Sequence, residues 1–549
     1  MIARGAVRYR PSFSYQPSLH NQHIFQRFLR RVTTNGATGA QGRTVASELV
    51  TEATVPPGLS VSQLPSYWLE NSTRYSDTRF KHGICDHQTP RLTLREVAML
   101  RLMDAITDKA NWYLKIFDET IVTRWRYEAQ ATPNGLISDQ AFEWCVKELR
   151  DRVEEFKEDG FVKTLESDSR CVKSDDFIPT AHGDRLRRAV KPLLEVSDDQ
   201  KDWHLNSDGK VLNLIHPSLY PLVVGHSKIL PTGQIGVDDC LDNMGQGVLV
   251  PQGEKVRSHL VHGLSYHINQ DKLCSTRFQW LPSEIQFVGE GTDEKIASYI
   301  NNLHPNKHKE LYSIIEQLIG KSIPLWNNVL QSEQGLLRLA PTVKTYIAQP
   351  DNPLYTARRE HRSCPALPSD PKEWVDHEVH EAVREVYERT RTIIHPEPTP
   401  SCYAQWKAKP PPRIRLEEDF KAEGLQVIVK LSSIELTPEK PDYPDGTWHL
   451  EGMLNESIVA TSIYYYDVEN ATPSQIRFSQ VNSVDGIYWD VSYEQGDHEP
   501  LAIVFGSRDM DDAPAVQKIG TVATKHGRVI ALPNDAVESN MDSYNLCEH

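Results

Sequence analysis

The chain of 549 residues carries 75 acidic against 60 basic side chains, a formal net charge of -15, and 39% hydrophobic residues. That acidic balance argues against a nucleic-acid binder, which needs a basic face for phosphates, and no stretch approaches the ~18 to 20 continuous apolar residues of a membrane span. The length suits two or three domains with a large core. Eight scattered cysteines, with no C-x-x-C pair, fit reduced intracellular thiols better than a disulfide framework or a zinc site. Residues 1–47 hold seven arginines and no acidic residue before Glu48. Such a start reads as a disordered tail or as a mitochondrial transit peptide, so the expected location is cytoplasmic, with mitochondrial import as the alternative.

From Leu92 the pattern turns helical, with Leu94, Val97, Leu100 and Met103 ahead of a second segment, Trp112 to Trp125. In a third, Asp139 to Glu158, the residues Phe142, Cys145, Val146, Leu149 and Val153 recur at three- and four-residue steps, and Asp139 is the predicted N-cap. Turn signals follow at Gly183-Asp184 and Ser207-Asp208-Gly209. The clusters His216 to Gly225, Arg277 to Glu284, Ser298 to Pro305 and Ile323 to Asn327 are rich in aromatic residues, proline and asparagine. They read as an irregular packed interior, with Asn301, Asn302 and His304 facing either that interior or a pocket. Lys309 to Ile319 and Lys372 to Thr392 are predicted helices. The second carries His377 and His380, three apart but without a third metal ligand nearby.

Pro396, Pro398, Pro400 and Pro410 to Pro412 mark a stiff connector. Beyond it come strand-like runs at Leu425 to Leu431, around His449, and at Ile458 to Tyr466, Ile476 to Phe478, Ile487 to Tyr493, Leu501 to Phe505 and Arg528 to Leu532. Turns at Asn470 to Pro473, Asp485-Gly486 and His526-Gly527 separate several of them. This succession predicts an α+β protein in which helical N-terminal layers pack on a C-terminal double-stranded β-helix, or jelly roll. The expected divisions are a tail over 1–60, a mainly helical or mixed region over 61–394, the connector over 395–413, the jelly-roll core over 414–534 and a divergent tail over 535–549.

Within that core, Gly446 to Glu456 places His449 and Glu451 two residues apart. In a strand, residues i and i+2 project from one face, so an imidazole and a carboxylate reach one point. They would form two-thirds of the facial triad that holds non-haem Fe(II). H-x-E alone is a common pair, and its plainer reading is a surface pair on an edge strand. No G-x-S-x-G, G-x-G-x-x-G or P-loop occurs, so neither a serine nucleophile of that type nor a nucleotide cofactor is expected.

The segments Gly424 to Leu431, Glu435 to Pro441, Trp448 to Glu456 and Tyr464 to Asp467 resemble a largely fungal family, domain of unknown function 4246. The His216, Trp280, Ser298 and Ile323 clusters resemble it too, so the likeness runs over residues 60–534. The C-terminal part of that family is similar to Fe(II)- and 2-oxoglutarate-dependent dioxygenases. The resemblance therefore implies His449 and Glu451 as iron ligands, 2-oxoglutarate as cosubstrate, and an unknown small molecule or protein side chain as substrate. It also implies a second histidine and then an arginine on a last strand beyond Asn534. Here no arginine follows Arg528, the only histidine after Asn534 is His549, and His526 sits in a turn ahead of the expected place. The third ligand, the clamp for 2-oxoglutarate and the closing strand are thus expected to be missing, as in an inactive relative or a truncated product. The alternative is a non-catalytic structural or interaction protein on the same fold. A cupin-like zinc or manganese enzyme ranks last, for want of an H-x-H.

Overall fold

The structure is a computed structural model that describes residues 2–8, 80, 91–132, 135–167, 170–205, 207–230, 234–250, 275, 277–331, 337–340, 342–347, 391–399, 414–443, 448–453, 456, 458–481, 491, 497–507, 516–534, 536–542 and 544–545. A ten-stranded sheet forms the centre. Its main path runs Glu294–Ile296, Ser283–Phe287, Leu425–Ile434, Ile2–Arg8, Ile458–Tyr465, Val529–Pro533, Cys171–Ser174, Val162–Thr164, and Val211–Ile215 also pairs with Leu425–Ile434. A second sheet orders Val516–Thr524, Ser474–Val481 and Ala536–Asp542. The ladders among the described residues are antiparallel, so alternation along each strand decides which side a residue buries.

That alternation divides the core in two. Val427 and Leu431, Tyr464 and Tyr466, and Val529 and Ala531 join the helices Thr180–Leu194 and Lys309–Val329 in one cluster. Ile463, Tyr465, Ile530 and Leu532 turn the other way, into a cluster with Ile476, Phe478, Ile519 and Val522 of the second sheet. Leu100, Phe142 and Leu149 of the N-terminal helices close that cluster. Each such apolar side chain taken fully out of water contributes about 1.5–3 kcal/mol. Helices and antiparallel sheets thus pack together as an α+β fold.

Several expectations meet their physical outcome here. The helix Asp139–Asp159 is capped by Ser138, whose hydroxyl accepts from the Ala141 N–H at 3.1 Å, so Asp139 is its first residue and not its cap. The Trp112 segment divides into Trp112–Lys115 and Glu119–Gln130, because Asp118 caps the second piece through the N–H groups of Thr120 and Ile121. Ile323 to Asn327 continues the helix Lys309–Val329, and Gly183-Asp184 lies inside Thr180–Leu194. Leu501 to Phe505, expected as strand, belongs to the helix Glu499–Phe505. There Leu501, Val504 and Phe505 fall on one face at helical spacing, Pro500 sits in the first turn, and Gly506 ends it in the left-handed region at φ 75°. A five-residue apolar run does not carry enough period to separate these outcomes.

Ile2–Arg8, expected within a tail, is a strand in the middle of the main sheet. Ala536–Asp542 and Tyr544–Asn545, expected in a divergent tail, pair with Ser474–Val481 and Asp442–Tyr443. The main sheet draws strands from both sides of the proline-rich stretch, so the region over 61–394 is not separate from the C-terminal sheet. The predicted strand at Ile487 to Tyr493 falls almost wholly outside the described residues. So does the helix Lys372 to Thr392, except that Arg391 opens the strand Arg391–Ile394. Gly183-Asp184 apart, the described turns behave as read: Asp208 has φ 54°, Asn470 φ 52° and Gly527 φ 83°.

A buried ionic cluster ties the N-terminal helices together. Arg338, wholly buried, holds Glu148 through Nε at 2.8 Å and Nη2 at 2.6 Å, and its Nη1 donates to the Glu166 carbonyl. Glu166 in turn takes Arg152 and Arg170. Glu96 receives the Arg338 backbone N–H at 2.8 Å, while the guanidinium bonds Glu148 more closely and lies 3.7 Å from Glu96. Burial consequently pushes the Glu96 carboxyl up to about 7, against the opposing charge of Arg338.

Candidate functional site

The segment around His449 is not a ladder strand. His449 is half-buried between Asp442–Tyr443 and Ile458–Tyr465, and Glu451 lies in a bend at 4% exposure. Asn534, just past Val529–Pro533, shapes this bend. Its Oδ1 accepts from the Glu451 N–H at 3.0 Å, and its Nδ2 donates to the carbonyls of Glu451 at 2.9 Å and Ile458 at 3.0 Å. Gly452 then turns the chain at φ 71°, where an added Cβ would meet Ile458 Cδ1 at 2.7 Å and Glu456 Oε2 at 2.8 Å. Glu456 accepts from the N–H of Met453 at 2.8 Å and from that of Trp280 at 2.6 Å. The glycine and the second glutamate of the motif therefore build the turn and bind it to the Trp280 segment.

Glu451 itself already has a cation. The Nζ of Lys430 contacts its Oε2, and the same nitrogen lies 4.2 Å from the centroid of the Trp280 ring. Lys430 comes from Leu425–Ile434, on the face opposite Val427 and Leu431. Ile428, on the same face as Lys430, packs with Ile458 and Trp280. Strand alternation thus delivers a lysine and a tryptophan to the carboxylate, and a cation held by both a carboxylate and an aromatic face is well placed.

Two imidazoles stand at the mouth of this cluster. The rings of His204 and His216 are 5.5 Å apart, edge to face, and His216 is 6.3 Å from Trp280. The Nδ1 of His216 accepts from the Ser218 N–H at 3.2 Å, which leaves the proton of the neutral ring on Nε2. Trp280 Nε1 donates to the Ser218 hydroxyl at 3.0 Å. Burial first, then the charge of Lys430 and the neighbouring His204, push His216 down to about 4, with Glu451 and Asp202 opposing. At neutral pH the site therefore offers an uncharged imidazole beside a lysine–glutamate pair.

Asn301 and Asn302 serve as anchors for the same loop. Asn301 Nδ2 donates to the carbonyls of Pro217 at 3.2 Å and Tyr220 at 2.9 Å, and Asn302 Nδ2 donates to that of His216 at 2.7 Å. His304 receives the Lys307 N–H at 3.4 Å. Arg528, the last arginine, is consumed by Asp175, at 2.5 and 2.9 Å, and by Asp108, at 2.9 Å. His377, His380, Cys402 and His549 lie outside the described residues.

The described residues do not by themselves form a three-ligand iron centre. Among the described residues no three His, Cys, Asp or Glu side chains are grouped to hold a metal ion, and the carboxylate expected to bind one is engaged by Lys430. Lys430, His204 and Ser218 were not singled out from the sequence. The available signal was a lone lysine within the strand-like run Leu425 to Leu431.

Residues 139–549 match the family model described as Protein of unknown function (DUF4246), and residues 56–128 match Domain of unknown function DUF4246, N-terminal. No curated protein and no solved structure matches the chain.

Proposed function

This chain belongs to the DUF4246 family, which matches most of its length, and we propose that it is an iron- and 2-oxoglutarate-dependent oxygenase-like protein that is catalytically silent in this form. The scaffold reading is supported by two antiparallel sheets sharing an apolar interior. The silence rests on one observation, the Lys430 ammonium on Glu451 Oε2. An Fe(II) ion brought within ~4 Å of that ammonium meets a repulsion of about 8 kcal/mol at an effective dielectric of ~20. A pair of ligands without a third repays little of that cost. What remains is a binding cluster of Lys430, Trp280, His216 and His204, which suits a non-catalytic binding role for a small molecule or protein group.

The test is consumption of 2-oxoglutarate by purified chain supplied with Fe(II) under air, with His449→Ala as control. Equal, background-level consumption is expected. Turnover by the wild-type chain that His449→Ala abolishes would overturn the reading.

A further inference from the structure

The strand Ile2–Arg8 fills a gap that nothing local in the sequence supplies. Its seven residues pair with Ser432 back to Gln426 on one side and with Tyr465 back to Ile458 on the other. Without it those two strands would stand two strand spacings apart, about 9.5 Å, too far to hydrogen-bond to each other. The gap would then present two facing rows of unpaired backbone groups.

The fit of the occupant is incomplete on one flank. The register slips between Val7 and Arg8 against Ile458–Tyr465. Thr461 and Ser462, opposite Ala6 and Gly5, are buried, and their hydroxyls have no hydrogen-bond partner among the described residues. A cavity of about 50 Å³ lies over the middle of the strand. It is lined by Val429 and Ser462, the two cross-strand partners of Gly5, together with Ile319, Trp326 and Tyr464. Residues directly opposite in a ladder share a face, so position 5 lies on the side of the sheet that carries this cavity. The indole N–H of Trp326, in the same lining, is also buried without a partner among the described residues.

We propose that the gap between Leu425–Ile434 and Ile458–Tyr465 is a strand-acceptor site whose occupant is the segment Ile2–Arg8, held by main-chain pairing and exchangeable with a separate extended peptide of that sequence. Recognition of this kind draws affinity from the ladder and selectivity from the alternate side chains. A small residue at the centre of the occupant matches the shallow, apolar seat. The segment acts as a latch: seated, it makes the sheet continuous; withdrawn, it opens a binding groove next to Lys430. This inference does not depend on the metal question.

The experiment uses the full chain carrying Gly5→Pro, which removes a ladder N–H from a central strand, with a free peptide of residues 1–10 as probe. Hydrogen exchange is expected to show protection of residues 426–432 and 458–465 lost in the variant and restored by the peptide, and the melting midpoint lowered and then recovered. A scrambled peptide restores nothing. A variant that melts with the wild type, or one rescued equally by scrambled and native peptides, overturns the proposal. Should Gly5→Pro not fold, the wild-type chain incubated with an excess of isotope-labelled peptide 1–10 reads the same exchange: labelled peptide retained by the chain is expected, and none retained overturns the proposal.

Discussion

The ammonium of Lys430 sits on the Oε2 of Glu451 while the face of Trp280 covers the same nitrogen at 4.2 Å. Glu451 is 4% exposed and the Lys430 side chain 16%, so the pair is largely out of water. Lys430→Met therefore leaves a buried carboxylate alone, and the cost is about 3–5 kcal/mol in chemical denaturation. Adding Glu451→Gln recovers most of it. Additive losses in the double-mutant cycle would show that the two groups do not act as a pair.

The same lysine adds its charge to the burial that keeps His216 neutral. Its folded pKa, about 4, lies below the ordinary 6.5, so the neutral ring contributes stability that is present above pH 6.5 and lost as pH falls toward 4. Imidazole resonances followed by NMR should give a midpoint near 4 in the wild type. In Lys430→Met, with the ammonium gone and Glu451 unpaired, the midpoint moves up. A wild-type midpoint at the ordinary histidine value would contradict this geometry.

Glu96 runs in the opposite direction. Burial raises its carboxyl from 4.5 to about 7, so the protonated form contributes stability that is complete below pH 4.5 and lost as pH rises to about 7. The span corresponds to about 3 kcal/mol. Glu96→Gln, fixed in the neutral form, should show a flatter stability profile than wild type between pH 5 and 8. Parallel profiles would mean that Glu96 does not titrate in this window.

The bend that carries Glu451 depends on Asn534. Asn534→Ala removes three hydrogen bonds to buried backbone, a loss of about 2–3 kcal/mol. Gly452→Ala meets both a left-handed backbone and a clash, so about 2 kcal/mol or more is expected. A melting curve of either variant that overlays the wild type would show that the turn tolerates other shapes.

The sequence made the long, periodic elements legible. Phe142, Cys145, Leu149 and Val153 announced their helix because the period repeats over about three turns, and Ile458 to Tyr465 announced a strand through β-branched and aromatic density. The shorter Leu501 to Phe505 run was misread for lack of period. The central place of Ile2–Arg8 was illegible, because its partners lie more than 400 residues away and its arginines suggested a tail. At the site, the spacing of His449 and Glu451 implies a strand, whereas Glu451 lies in a bend held by Asn534 and Glu456 ties that bend to the Trp280 segment. What spacing does not carry is the partner from a distant strand. Lys430 is 21 residues away from Glu451 and reaches it only because the strand turns that face inward.

Mn(II) titration followed by EPR, with wild type, Lys430→Met and His449→Ala measured side by side, reads the occupancy of Glu451 most directly. The pairing predicts no high-affinity ion in the wild type and a signal indistinguishable from His449→Ala. One tightly held ion per wild-type chain, lost in His449→Ala, would contradict it.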